Sequence, residues 1–303
     1  MRRRWTSSVL SLVAVAAVAV ALPQVARAAY VSDPALTATI SVGSGPRGIA
    51  VTPDGAFVYV ADTADNNVKV ISTATNTVTA TVAVGSTPIG LAITPDGTKV
   101  YVANYGANSV SIITTSSNTV SGPIGVGVQP YGIAVSPDGS RVYVTNYNNG
   151  GPPAPDSTVS VISTSSNTVT STVSVHKNPW GVAFNPSGTR AYVSNSGSDL
   201  VSIINNSVTP PVEIGTIAIS NTPAGLAVNA DGSQLYVARN GAPSVDVVNT
   251  ATNAIVTTIT VGSNAAGLAV SPDGGRLYVA NNGGTTMSVV DTATNAVLST
   301  VAL

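Results

Sequence analysis

His176 is the only histidine and Glu213 the only glutamate in the 303-residue chain, which also lacks cysteine. This inventory bounds the chemistry. A nucleophilic triad needs a base, usually histidine, beside its serine or thiol. Metal-assisted hydrolysis or elimination needs several convergent histidines or carboxylates. No Gly-rich loop ending in lysine offers a phosphate cradle, and Ser-x-x-Lys pairs and zinc-ligand spacings are missing. No catalytic set, metal site or cofactor is expected. An extracellular lyase or lactonase using His176 with loop carboxylates is the rival reading, and a purely structural cell-envelope repeat protein is another.

The aromatic residues point to binding instead. Six of the ten tyrosines recur at one place in a repeat and read as structural, and Tyr30 lies near the N-terminus. Tyr105, Tyr131 and Tyr147 remain, together with Trp180. Flat rings with a polar edge make platforms for sugar rings and peptide side chains. Arg47 occupies the place of Tyr131 and Trp180 in an earlier repeat. His176 replaces a strand-ending glycine, Gly85 or Gly127 elsewhere. The candidate ligand surface is therefore Tyr105, Tyr131, Tyr147 and Trp180, with Arg47 and His176 as polar neighbours.

These residues need a scaffold, and the repeat supplies it. Tyr59-Val60-Ala61-Asp62 recurs as Tyr101-Val102-Ala103-Asn104, Tyr143-Val144-Thr145-Asn146 and Tyr192-Val193-Ser194-Asn195. It recurs again as Tyr236-Val237-Ala238-Arg239 and Tyr278-Val279-Ala280-Asn281, in steps of 42, 42, 49, 44 and 42 residues. Each unit holds four strand signals. In the first they are 48–51, 58–60, 68–71 and 77–84, separated by turns such as Pro53-Asp54-Gly55. Proline presets φ for a turn and glycine supplies its positive φ. The aspartates of these turns read as turn chemistry, not as ligands. Four short antiparallel strands per repeat make the blade of an all-β propeller, stable only when blades stack. Six blades are expected, at 44–85, 86–127, 128–176, 177–220, 221–262 and 263–303. In such a ring the second-to-third loops and the interblade loops emerge on one face, which groups the candidate aromatics there. The third repeat also carries a long Gly- and Pro-rich insertion from Asn148 to Asp156. The glycine ahead of each first strand (Gly48, Gly90, Gly132, Gly181, Gly225 and Gly267) is expected to permit a close approach that a β-carbon would block.

The Tyr-Val-Thr-Asn motif at 143–146, its five variants and the Pro-Asp-Gly turns resemble the YVTN family of β-propeller repeats over residues 36–303. That family includes archaeal surface-layer proteins and bacterial secreted or periplasmic propellers. The resemblance implies a propeller at the cell surface or outside the cell, and usually seven blades. Leu36 to Gly43 matches a fourth strand, like Thr79 to Gly85, although Ala296 to Leu303 already supplies one for the last blade. The surplus strand either adds to a blade or belongs to a seventh.

Residues 1–28 read as a signal peptide. Arg2-Arg3-Arg4 forms a basic start, and Val9 to Leu22 is apolar but too short to span a bilayer. Ala26-Arg27-Ala28 fits a cleavage site, so a secreted protein is expected. Losing four of the twelve basic residues leaves eight against thirteen acidic ones, a net charge near −5. No basic footprint for nucleic acid or anionic lipid remains. The expected partner is a glycan, a peptide or a cell-surface protein, bound by a monomer with no membrane span.

Overall fold

In the computed structural model the described residues are 36–148 and 157–303, so the expected signal peptide and residues 149–156 of the insertion lie outside them. The described residues form 24 strands. Blade 1 comprises β1 (Pro46–Val51), β2 (Phe57–Asp62), β3 (Asn67–Ser72) and β4 (Thr77–Ala83). Blade 2 comprises β5 (Pro88–Ile93), β6 (Lys99–Asn104), β7 (Ser109–Thr114) and β8 (Thr119–Gly125). Blade 3 comprises β9 (Pro130–Val135), β10 (Arg141–Asn146), β11 (Thr158–Ser163) and β12 (Thr168–Ser174). Blade 4 comprises β13 (Pro179–Phe184), β14 (Arg190–Asn195), β15 (Leu200–Asn205) and β16 (Val212–Ala218). Blade 5 comprises β17 (Pro223–Val228), β18 (Gln234–Arg239), β19 (Ser244–Asn249) and β20 (Ala254–Thr260). Blade 6 comprises β21 (Ala265–Val270), β22 (Arg276–Asn281), β23 (Thr286–Asp291) and β24 (Val297–Ala302). Each sheet is antiparallel with its strands in chain order. The protein is a six-bladed β-propeller.

The repeat motif explains the core. Tyr59, Tyr101, Tyr143, Tyr192 and Tyr236 are among the largest fully buried side chains. Each packs from one blade onto the next, as Tyr59, Val68 and Val70 do against Val100, Val102 and Ile113. The Tyr101 and Tyr143 phenols find acceptors in the following blade, donating to Asn167 Oδ1 at 2.9 Å and Asn206 Oδ1 at 2.7 Å, whereas Tyr236 donates to Gln234 Oε1 of its own strand at 2.9 Å. Motif asparagines serve the same sheet, since buried Asn104 donates to Ser109 and Ser111, and Asn146 to Thr158 and Ser160. The turn aspartates act locally. Asp96 accepts from the Thr98 amide and from the Thr94 hydroxyl, and these bonds hold its carboxyl below the usual range.

Burial pushes the Tyr101 and Tyr143 phenols up to about 12. In the unfolded chain such groups ionise near 10, so above that pH unfolding releases protons the folded state retains. The stability is therefore intact below pH 10 and is lost as the pH rises toward 12. Thermal melts on either side of pH 10 are expected to show a falling midpoint on the alkaline side.

The surplus strand differs from expectation. Residues 36–43 form no strand. Ile40 and Val42 nonetheless pack on Val58, Val60 and Ile71 of blade 1, as Val82 and Val84 of blade 1 join the cluster shared with blade 2. The segment has the seat of a fourth strand, and among the described residues no third strand pairs with it.

Candidate functional site

The second residues of the first strands are Arg47, Ile89, Tyr131, Trp180, Ala224 and Ala266. Each follows directly on the residue that opens its strand, and the ladder slips there. In blade 3 Pro130 pairs with Asn146 and Ile133 with Val144, with a bulge between. A bulge re-aims the side chain it carries, here Tyr131. Tyr105 and Tyr147 come from the loops after β6 and β10. Those loops are tied to the neighbouring connections by Tyr105 N–H donating to Thr87 O and Tyr147 N–H donating to Gln129 O, both at 3.0 Å.

The four aromatic rings form one group. Tyr131 is its hub, with ring centroids 4.8 Å from Trp180, 5.6 Å from Tyr147 and 6.3 Å from Tyr105. Tyr147 meets Trp180 edge to face at 6.1 Å. All four are half-buried, so each keeps some surface toward solvent. Burial pushes the Tyr131 phenol above its ordinary value, and the Arg47 guanidinium nearby pulls it the other way. Arg47 acts on Tyr105 in the same sense. An exposed cation from blade 1 thus stands beside an aromatic platform from blades 2 to 4.

His176 is engaged elsewhere. Its Nε2 lies 3.4 Å from Oε1 of Glu213, a residue of the outermost strand of blade 4. The sole histidine and sole glutamate therefore meet between outer strands, on the rim. Among the described residues no group of three His, Cys, Asp or Glu gathers as a metal site. No helix of the described residues is long and apolar enough to cross a membrane.

Two supports of the platform were not singled out in the sequence. The buried Thr145 hydroxyl donates to Trp180 O at 2.9 Å and accepts from Gly132 N–H at 2.8 Å. It fixes the backbone under both central rings. Asn178, with φ 53°, donates from Nδ2 to Tyr147 O at 3.2 Å. Thr145 is the threonine of the repeat motif itself, and its hydroxyl was the available signal. Chemically, the arrangement can stack on apolar faces and hold an acceptor or anionic group at Arg47.

Comparison with the curated proteins returns no match. Among solved structures, a functionally unknown protein from Desulfotomaculum acetoxidans DSM 771 is similar with a TM-score of 0.73 at 19% identity, over 85% of each chain. Kuenenia stuttgartiensis hydrazine synthase is similar with a TM-score of 0.56 at 19% identity, over 85% of this chain and 98% of that one. At such identity these likenesses speak for the fold alone. Residues 8–150 match the model of the YNCE-like beta-propeller family, and the repeat they hold runs on through blade 6 of this six-bladed β-propeller.

Proposed function

We propose that the protein is an exported, non-catalytic propeller that binds a glycan or peptide, free or on a cell-surface protein, across the aromatic platform. The observation that carries this reading is the convergence of Tyr131 and Trp180 at 4.8 Å, flanked by Tyr105 and Tyr147, on a rigid stack of sheets. Rings left half-open on such a scaffold bury apolar area at little cost in side-chain freedom when a ligand arrives. Arg47 adds a charged hydrogen-bond donor at the edge.

A glycan array and a pull-down from cell envelopes identify the ligand, and Trp180→Ala then tests the surface. Loss of about 2 kcal/mol of binding, roughly thirtyfold in Kd, with an unchanged melt is expected. Wild-type affinity in both Trp180→Ala and Tyr131→Ala would move the site off this face. Export rests on the N-terminal pattern. Protein recovered from culture supernatant is expected to begin at Ala29, and a released chain retaining Arg2 to Arg4 would contradict it.

A further inference from the structure

Blade 1 departs from the polar pattern of the other blades. In blades 2, 3, 4 and 6 the motif ends in a buried asparagine whose amide donates to hydroxyls of the third strand. Blade 5 carries Arg239 there, paired with Asp246 of its third strand at 3.2 Å. Blade 1 carries Asp62, which is fully buried, and neither of its carboxylate oxygens has a hydrogen-bond partner. A carboxylate can only accept, and the third strand of blade 1 spends its donors elsewhere. Asn67 stands directly opposite Asp62 in the ladder, but its Nδ2 donates to Asp65 O at 3.2 Å. Lys69, at the place of Asp246, donates to Thr81 Oγ1 at 3.3 Å, and among the described residues no ion pair joins it to Asp62.

A second carboxylate lies beside the first. A β-carbon built on Gly43 would strike Asp62 Oδ2 and stand 3.1 Å from Asp65 Oδ2, so the two oxygens border one point. Burial and the Asp65 carboxylate push Asp62 above the ordinary aspartate range, against the weaker pull of the Lys69 ammonium and the Asp65 amide. A third oxygen is Asn67 Oδ1, which is buried without a partner, in a side chain only 9% exposed. Three side chains of one hairpin thus bring acceptors together. A buried carboxylate facing a second negative charge is costly unless a cation or a proton compensates it.

We propose that Asp62, Asp65 and Asn67 Oδ1 bind a hard divalent cation of the calcium type, with water completing its shell. All three ligands are oxygens, the donors such ions take, and the two carboxylates balance its charge. The bound ion would pin the hairpin under Gly43 and steady the loop that leads to Arg47. That loop is already tied to the same hairpin, since Thr63 N–H donates to Gly45 O and Ala64 N–H to Ser44 O, both at 3.2 Å. The site is independent of what the aromatic platform binds.

Chelator-treated protein is titrated with calcium chloride by calorimetry, and its melting midpoint is followed. One saturable site is expected, with a Kd of about 0.1–1 mM, the range of extracellular calcium modules. At tenfold excess over Kd the midpoint should rise by about 3 °C. Asp62→Asn installs the residue that blades 2, 3, 4 and 6 use. It is expected to fold, to melt above chelated wild type, and to bind calcium at least tenfold more weakly. Asp65 is exposed, so Asp65→Asn should lose affinity to the same degree with little change in the calcium-free melt. Absence of saturable calcium binding by wild type would overturn the proposal, leaving a proton shared by the two carboxylates as the compensating charge. So would unchanged affinity in both variants, or an equal response to sodium at the same ionic strength.

Discussion

Gly132→Val is expected to destabilise the propeller by about 1–3 kcal/mol, the usual scale for forcing extra volume into a packed site, whereas Gly267→Val leaves the melt near wild type. The two glycines hold the same place in their repeats. At Gly132 the new β-carbon would stand 2.2 Å from a backbone oxygen and 3.1 Å from Thr145 Oγ1. Neither neighbour can step aside cheaply. The Trp180 carbonyl belongs to a strand, and Thr145 bonds to both Trp180 O and Gly132 N–H. The blades must separate, which also loosens the base of the aromatic platform. At Gly267 the nearest atom is an alanine methyl at ordinary van der Waals distance. Urea denaturation of both variants measures the difference, and equal destabilisation would mean that Gly267 is packed as tightly as Gly132.

The sequence carried the blades plainly because the signals are local. Alternating Val and Thr, a proline–glycine turn and a fixed tyrosine recur too regularly to mean anything else. The aromatic grouping was legible for the same reason. Once strand order is known, the ends of second strands and the starts of first strands must share a face, and Tyr105, Tyr131, Tyr147 and Trp180 meet there. His176 was less legible, since its repeat position fixes its strand end but not the neighbour it meets. The packing of β12 against β16 brings it to Glu213, and contacts between neighbouring blades leave no trace in spacing. The looser packing at Gly267 was equally hidden. Gly267 looks like every other motif glycine, yet a β-carbon there would meet only Ala280 Cβ, at 3.6 Å, and no carbonyl of another blade. First strands begin two residues before the glycine because the ladder opens across a bulge, with proline at that place in five blades and Ala265 in the sixth, a detail that apolar alternation does not encode.

Tyr143→Ala is expected to be the most damaging single change, at about 3–5 kcal/mol, the range for emptying a large buried aromatic site. Tyr143 is fully buried, packs edge-on to Phe184 of the next blade at 4.8 Å and anchors a cluster with Val159, Val161, Ala191 and Val193. Tyr143→Phe separates ring from hydroxyl. It removes only the 2.7 Å bond to Asn206 Oδ1, an acceptor that keeps Arg141 Nη1 at 2.8 Å. Its cost should therefore sit at the lower end of roughly 0.5–1.5 kcal/mol. Tyr278→Ala is the internal control. The motif and its place in the blade are the same, but Tyr278 is half-buried, where Tyr143 is sealed under blade 4. Less apolar area returns to water, so its cost should fall well below that of Tyr143→Ala. Denaturation midpoints of the three variants order them as Tyr143→Ala, then Tyr278→Ala, with Tyr143→Phe nearest wild type. Equal losses for the two alanine variants would show that the outer face of blade 6 is packed as tightly as any other.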